Sequence, residues 1–95
     1  MTIAEEDYRL AKFCDALSNA VRLELILRLR ENERNVSTLA EKLQRDRSSV
    51  SRHLGKLADH DLVQSETRGR SNYYKLKRPE LIEQFLTLRP YLRRK

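Results

Sequence analysis

The sequence predicts a mainly α-helical α+β fold, about five helices with a small hairpin of two to three strands, built as a single domain over residues 1–95. Three observations predict it. Apolar residues recur at helical spacing through most of the 95 residues. One stretch, residues 62–76, instead places β-favouring residues on both sides of a Gly-containing turn. The chain is long enough to enclose one hydrophobic core of ordinary size but not two, and it contains no repeat, low-complexity tract or Gly/Pro/Ser linker that would divide it.

Composition sets the class. Hydrophobic residues make up 39% and charged residues 36% of the chain, and no apolar run approaches the roughly 18 residues of a bilayer span. The start, Met1-Thr2-Ile3-Ala4-Glu5-Glu6-Asp7, is acidic and lacks the basic and apolar regions of a secretory signal. With one cysteine there is no internal disulfide, as fits a reducing compartment. The expectation is a cytoplasmic protein with no membrane partner.

Thr2 with Glu5 three residues later has the form of a capping box, and Tyr8, Ala11, Cys14 and Leu17 continue at helical spacing, predicting a first helix over about 3–18. Ser18-Asn19 can cap a second helix through about Glu31. Its row Val21, Leu25, Leu29 is broadened by Leu23, Ile26 and Leu27, so it should be largely buried. After the polar loop 32–35, Val36 suits a very short strand and Ser37 an N-cap for a short helix carrying Leu39, Ala40 and Leu43. Arg45-Asp46-Arg47 makes a tight turn, with Asp46 capping the next helix, in which Val50, Leu54, Leu57 and Ala58 face inward. Two helices joined by so short a turn form a helix-turn-helix, about residues 37–60.

The outward face of the later helix carries the chemistry. At 100° per residue Ser48, Arg52 and Lys56 lie opposite the apolar stripe, flanked by Ser49 and Ser51, with Arg47 at the helix start and His53 beside Arg52. Hydroxyls can bond phosphates or base edges, and an arginine can read a guanine bidentately in a major groove. In the hairpin, a wing of about 62–76, alternation puts Tyr74 and Leu76 toward the core. Arg68 and Arg70 then project at a tip made of Arg68, Gly69, Arg70 and Ser71, as entry into an adjacent minor groove requires. Pro79 opens a last helix whose Leu81, Ile82, Phe85, Leu86 and Leu88 run on until Pro90, over about 79–92. So much apolar surface on the first and last helices exceeds what one small monomer covers, which predicts that both pack against their counterparts in a homodimer; cover for the monomer's own core is the alternative.

Charge agrees with a polyanionic partner. The net charge is +6, and the sequence pI is near 9.8. Residues 1–35 hold six Lys/Arg and seven Asp/Glu, whereas residues 36–95 hold fourteen and seven. The excess therefore lies with the helix-turn-helix, the wing and the tail Arg93-Arg94-Lys95. By charge alone a solvated basic surface would read the same way; the placement of Ser48, Arg52 and Lys56 after a short helix and turn favours double-stranded DNA.

Several segments carry a family resemblance: Ala16-Leu17-Ser18-Asn19-Ala20-Val21-Arg22-Leu23-Glu24-Leu25-Ile26-Leu27, Leu39-Ala40-Glu41-Lys42-Leu43, Ser48-Ser49-Val50-Ser51-Arg52-His53-Leu54-Gly55-Lys56-Leu57, Leu62-Val63 and Gly69-Arg70-Ser71-Asn72-Tyr73-Tyr74-Lys75-Leu76. In this order and spacing, across about residues 13–76, the chain resembles the ArsR/SmtB family of winged helix-turn-helix transcriptional regulators. The resemblance implies a homodimer with terminal helices at its interface, a recognition helix around residues 47–60, and repression by promoter occupancy on the nucleoid. The family's metal sensing is not implied. Its thiolate motif corresponds to about Asn35-Val36-Ser37-Thr38-Leu39, which has no cysteine, and its other site uses histidines on the last helix, where residues 79–95 have none. His53 and His60 are two turns apart, too far for chelation on one helix.

No metal, cofactor or catalytic residue is therefore expected. There is no glycine-rich phosphate loop and no Ser-His-Asp arrangement, and both histidines lie on the recognition helix, so the sequence argues against an enzyme. Cys14, in the apolar register of the first helix, reads as a small buried hydrophobe, with a redox switch or an intersubunit disulfide as the alternative. The competing readings of the whole chain are a non-specific architectural DNA-binding protein or a winged-helix module that binds protein or RNA.

Overall fold

The computed structural model describes residues 2–93. The elements run α1 (Glu5–Ala16), α2 (Ala20–Glu31), β1 (Arg34–Asn35), α3 (Val36–Leu43), α4 (Arg47–Asp59), β2 (Val63–Arg68), β3 (Ser71–Leu76), α5 (Pro79–Leu86) and a 3-10 turn over Arg89–Leu92. The strands form one antiparallel sheet in the order β1-β3-β2, with Arg34 opposite Tyr74 and Ser65 opposite Tyr74 on its other side. This is the predicted winged helix-turn-helix: a helical body with a hairpin hinged on a two-residue strand. Arg94 and Lys95 of the basic tail lie outside the described residues.

One core joins the body. Leu25 and Ile26 of α2, Leu39 of α3, Val50, Leu54 and Leu57 of α4, Leu62 before β2 and Ile82 of α5 are each fully buried. Tyr74 and Leu76 close it from the sheet, on the side that strand alternation predicts. The Arg30 guanidinium donates to the Glu83 carboxylate at 2.7 Å, which locks α2 to α5. The Asn19 side chain accepts the Val21 and Arg22 amides at 2.9 and 3.1 Å, so the predicted cap of α2 is in place. Asn19→Ala is expected to cost about 1 kcal/mol in urea unfolding, while Asn19→Ser, which still accepts, should cost a few tenths.

Two other N-termini differ from expectation, those of α1 and α3. α1 begins at Glu5 with Ala4 as its cap and no side-chain bond, so there is no capping box from Thr2. Glu5 is the first helical residue instead of the third, and its carboxylate takes Arg9 at 3.0 Å. In α3 the cap is Asn35, which accepts the Thr38 amide at 2.8 Å, and not Ser37. Val36 is the first residue of that helix and not a strand, because burial of its side chain draws it into the body while Asn35 pairs with Tyr73.

Register also departs in places. The side of α1 that meets the core is Phe13, Ala16 and Leu17; Tyr8, Ala11 and Cys14 are exposed. The cause is Phe13, whose ring meets Phe85 of α5 edge-on at 5.5 Å and turns that face inward. Cys14 is thus an exposed thiol and not a buried hydrophobe. Ala58 is exposed because the inward row of α4 runs Val50, Leu54, Leu57. The last helix stops at Leu86, where the Thr87 hydroxyl donates to the Gln84 carbonyl at 2.6 Å, and Pro90 confines the next residues to a 3-10 turn. Leu88 consequently leaves the core face and is half exposed.

Candidate nucleic-acid interface

The turn between α3 and α4 is three residues, Gln44, Arg45 and Asp46. Gln44 takes the left-handed conformation (φ 54°) that ends α3, and the Arg45 amide donates back to the Ala40 carbonyl at 3.0 Å. Asp46 then opens α4 as predicted. Its carboxylate accepts the Ser49 amide at 2.6 Å and the Ser48 hydroxyl at 3.1 Å. The Ser49 amide foremost, then Ser48 and the Arg52 charge, hold this carboxyl below its usual range, so the cap remains ionised well into acid.

With α4 pinned this way, Arg47, Ser48, Ser51, Arg52 and Lys56 are exposed on its outer side and Ser49 and His53 are half-buried along its flank. The Lys56 ammonium lies 3.9 Å from the Asp15 carboxylate at the end of α1. No ion pair holds Arg52 among the described residues. His60 is the C-cap of α4 and not part of its outer face; its Nδ1 lies 2.9 Å from the Lys56 carbonyl.

His53 has Nδ1 3.4 Å from the guanidinium of Arg22. Burial first, then the charges of Arg22, Arg52 and Arg45, push its pKa down from 6.5. The folded state therefore binds fewer protons here than the unfolded chain. The stabilisation is complete above 6.5 and is lost as pH falls through that value toward the lower folded-state pKa. His53→Gln should flatten the acid side of a stability-against-pH curve measured by denaturant unfolding; an unchanged curve would remove His53 as the source.

The wing tip is a two-residue turn, Gly69-Arg70, tighter than the four-residue tip the sequence suggests, because Arg68 and Ser71 still pair across the strands. Gly69 has φ 61° at the first turn position, as the glycine-first hairpin turn requires. Arg70 is exposed. Arg68 does not project freely. Its guanidinium grips the Glu33 carboxylate at 2.8 and 3.0 Å, reaches Glu66 at 3.1 Å, and lies 4.8 Å above the Tyr73 ring. These contacts join the wing to the loop before β1.

Helix-turn-helix and wing meet in one polar cleft of about 120 Å³, where Ser37 of α3, Arg47 and Ser51 of α4, and Arg70, Ser71 and Asn72 of the wing line a common wall. Ser37 and Asn72 lie outside the set of site residues that the sequence pattern predicts. Position alone makes Ser37 a helix cap, and only the use of Asn35 in that role leaves its hydroxyl exposed. Asn72 is placed by the Thr67 hydroxyl, which donates to its side-chain oxygen at 2.8 Å across the hairpin. Among the described residues no group of three or more His, Cys, Asp or Glu can hold a metal ion, and no helix is long and apolar enough to cross a membrane.

Comparison with known proteins agrees with this architecture. A family model described as a helix-turn-helix domain matches residues 17–66. An uncharacterized HTH-type transcriptional regulator of Methanocaldococcus jannaschii is 40% identical over 55 residues; the match spans 58% of each chain, so this chain covers little more than half of that relative. HlyU from Vibrio cholerae N16961 superposes with a TM-score of 0.83 at 25% identity, over 96% of this chain and 100% of that one. An ArsR-like transcriptional regulator from Rhodococcus sp. RHA1 is 30% identical with a TM-score of 0.73, over 93% of this chain and 83% of that one. The chain belongs to the helix-turn-helix domain family, in the winged form it shares with ArsR-like regulators.

Proposed function

We propose that the protein is a non-catalytic, sequence-specific regulator of transcription that binds double-stranded DNA as a homodimer in the cytoplasm, on the nucleoid, one winged-helix domain per protomer. The observation that carries this reading is the convergence of the first turns of α4 with the wing tip in one cleft, beside an exposed Ser48-Arg52-Lys56 face. A helix seated by its N-terminal end in a major groove, with a basic hairpin reaching the flanking backbone, uses these parts in these positions. In this reading Arg47, Ser48, Ser49, Ser51, Arg52, His53 and Lys56 face the major groove. Gly69, Arg70 and Ser71 meet the adjacent backbone or minor groove, and Arg68 holds the wing at its angle.

Dimerisation is supported by what one protomer leaves uncovered. Ile3, Tyr8 and Leu10 at the start of the chain, and Leu88, Tyr91 and Leu92 at its end, are all half exposed or more. Joining two copies through these terminal segments buries them and sets two α4 helices about 34 Å apart, one turn of DNA, so the site is an inverted repeat. Occupying such a site within a promoter excludes polymerase, which makes repression the expected outcome.

Selection of duplexes from a random pool at near-physiological salt tests this. Enrichment of an inverted repeat bound at least about 10³-fold tighter than its scramble is the expected result. Uniform, salt-sensitive binding without enrichment would mean an architectural DNA coater, and no binding a module for protein or RNA.

A further inference from the structure

Arg22, near the start of α2, makes three contacts with two other elements, α1 and α4. Its Nε donates to the Ala16 carbonyl at 2.6 Å and its Nη2 to the Asp15 carbonyl at 3.2 Å, so it caps the C-terminus of α1; its Nη1 lies 3.4 Å from His53 Nδ1 on α4. We propose that Arg22 is a positioning residue that fastens the end of α1 to the DNA-reading helix and presents His53 to nucleic acid as a neutral imidazole with its proton on Nε2. The inference rests on the DNA-binding reading above.

Donors and acceptors decide the tautomer. A guanidinium has five N–H donors and no lone pair, so its contact with His53 Nδ1 needs the lone pair of that nitrogen. The single proton of the neutral ring is then on Nε2. Among the described residues the one buried side-chain nitrogen or oxygen without a partner is His60 Nε2, so His53 Nε2 is not sealed in the body. It offers a donor beside Arg52, and its ligand is a hydrogen-bond acceptor on DNA, a phosphate oxygen or the N7/O6 edge of a purine. Around the imidazole stand Arg22 from α2, Arg45 from the turn and Arg52 on α4 itself, all cations, with the Asp15 carboxylate of α1 turned to Lys56. These charges oppose a second proton on the ring. The Asp15–Lys56 pair makes a parallel link between the same two helices.

The test is an imidazole ¹⁵N spectrum of the full chain, free and with the selected duplex, for the native protein, Arg22→Gln and Arg22→Lys. Expected are an Nε2–H tautomer in the native protein, loss of that single tautomer and a raised His53 pKa in Arg22→Gln, and a pKa kept low in Arg22→Lys, which restores the charge. Affinity for the duplex should fall roughly 3- to 10-fold in Arg22→Gln and in His53→Ala, and no further in the double variant. If His53→Ala weakens all duplexes alike the acceptor is a phosphate; if it alters preference at one position the acceptor is a base. An Nδ1–H tautomer, a His53 titration indifferent to Arg22, or losses that multiply would overturn the proposal. Should no duplex bind, the DNA-binding reading fails, and the spectra of the free protein still decide the contact. If Arg22→Gln does not fold, Arg22→Met, which keeps the stem and removes the donors, completes the cycle with His53→Ala.

Discussion

Replacing Leu54 with alanine is expected to cost about 2–5 kcal/mol of stability and to take specific DNA binding with it. Leu54 is fully buried on the inner side of α4, in a row with Val50 and Leu57. Truncation forfeits the burial of the removed atoms and leaves a cavity that the flanking α2 and α3 fill only partly. A small domain holds about 5–15 kcal/mol in total, so the loss is a large share. The same helix presents Ser48, Arg52 and Lys56 outward, so a loosened α4 loses its aim as well as its packing. Urea unfolding at one fixed protein concentration measures the first effect, since association with a second copy would add to apparent stability. A duplex titration at low temperature, where the variant still folds, measures the second. A cost below about 1 kcal/mol would show that α4 is not seated as described.

Arg52→Ala is expected to lower affinity for the selected site by about 1–3 kcal/mol per half-site and to relax preference at the base it reads. Arg52 is exposed on the outer face of α4 and free of ion pairs among the described residues, so its fork is available to a guanine edge without breaking an internal contact first. Arg70→Ala makes the contrast. In the proposed reading the exposed Arg70 on its two-residue tip meets phosphate, and its loss should weaken all sequences alike and reduce the slope of log affinity against log salt by about 1 per wing. Fluorescence anisotropy against the selected duplex and its single-base variants, at several salt concentrations, separates the two signatures. If Arg52→Ala kept full discrimination, base reading would have to be reassigned to other residues of the α4 face.

The amino-acid pattern by itself determined the element order, the two-helix motif with its short turn, the hairpin, the Asp46 cap and the place of the α2 cap at Ser18-Asn19. Each of these is local: a 3.6-residue period, a two-residue alternation, or a side chain that bonds an amide two or three positions along. The outward stripe of α4 was legible for the same reason, because once Val50, Leu54 and Leu57 point inward the angles of Ser48, Arg52 and Lys56 are fixed. Only the tertiary structure decided which face of α1 meets the core, since Tyr8-Ala11-Cys14 and Phe13-Ala16-Leu17 are both plausible apolar rows. The ring of Phe85, some seventy residues away, selects the second. It likewise decided that Asn35 caps α3 and leaves Ser37 exposed, that Arg68 is held by Glu33, and that Arg22 bridges α1 to His53. The Asn35 cap is a local bond chosen by the packing of Val36, whereas Arg68–Glu33 and Arg22–His53 pair side chains distant in sequence. Their partners come within hydrogen-bond reach only when the packed core sets one helix or strand against another.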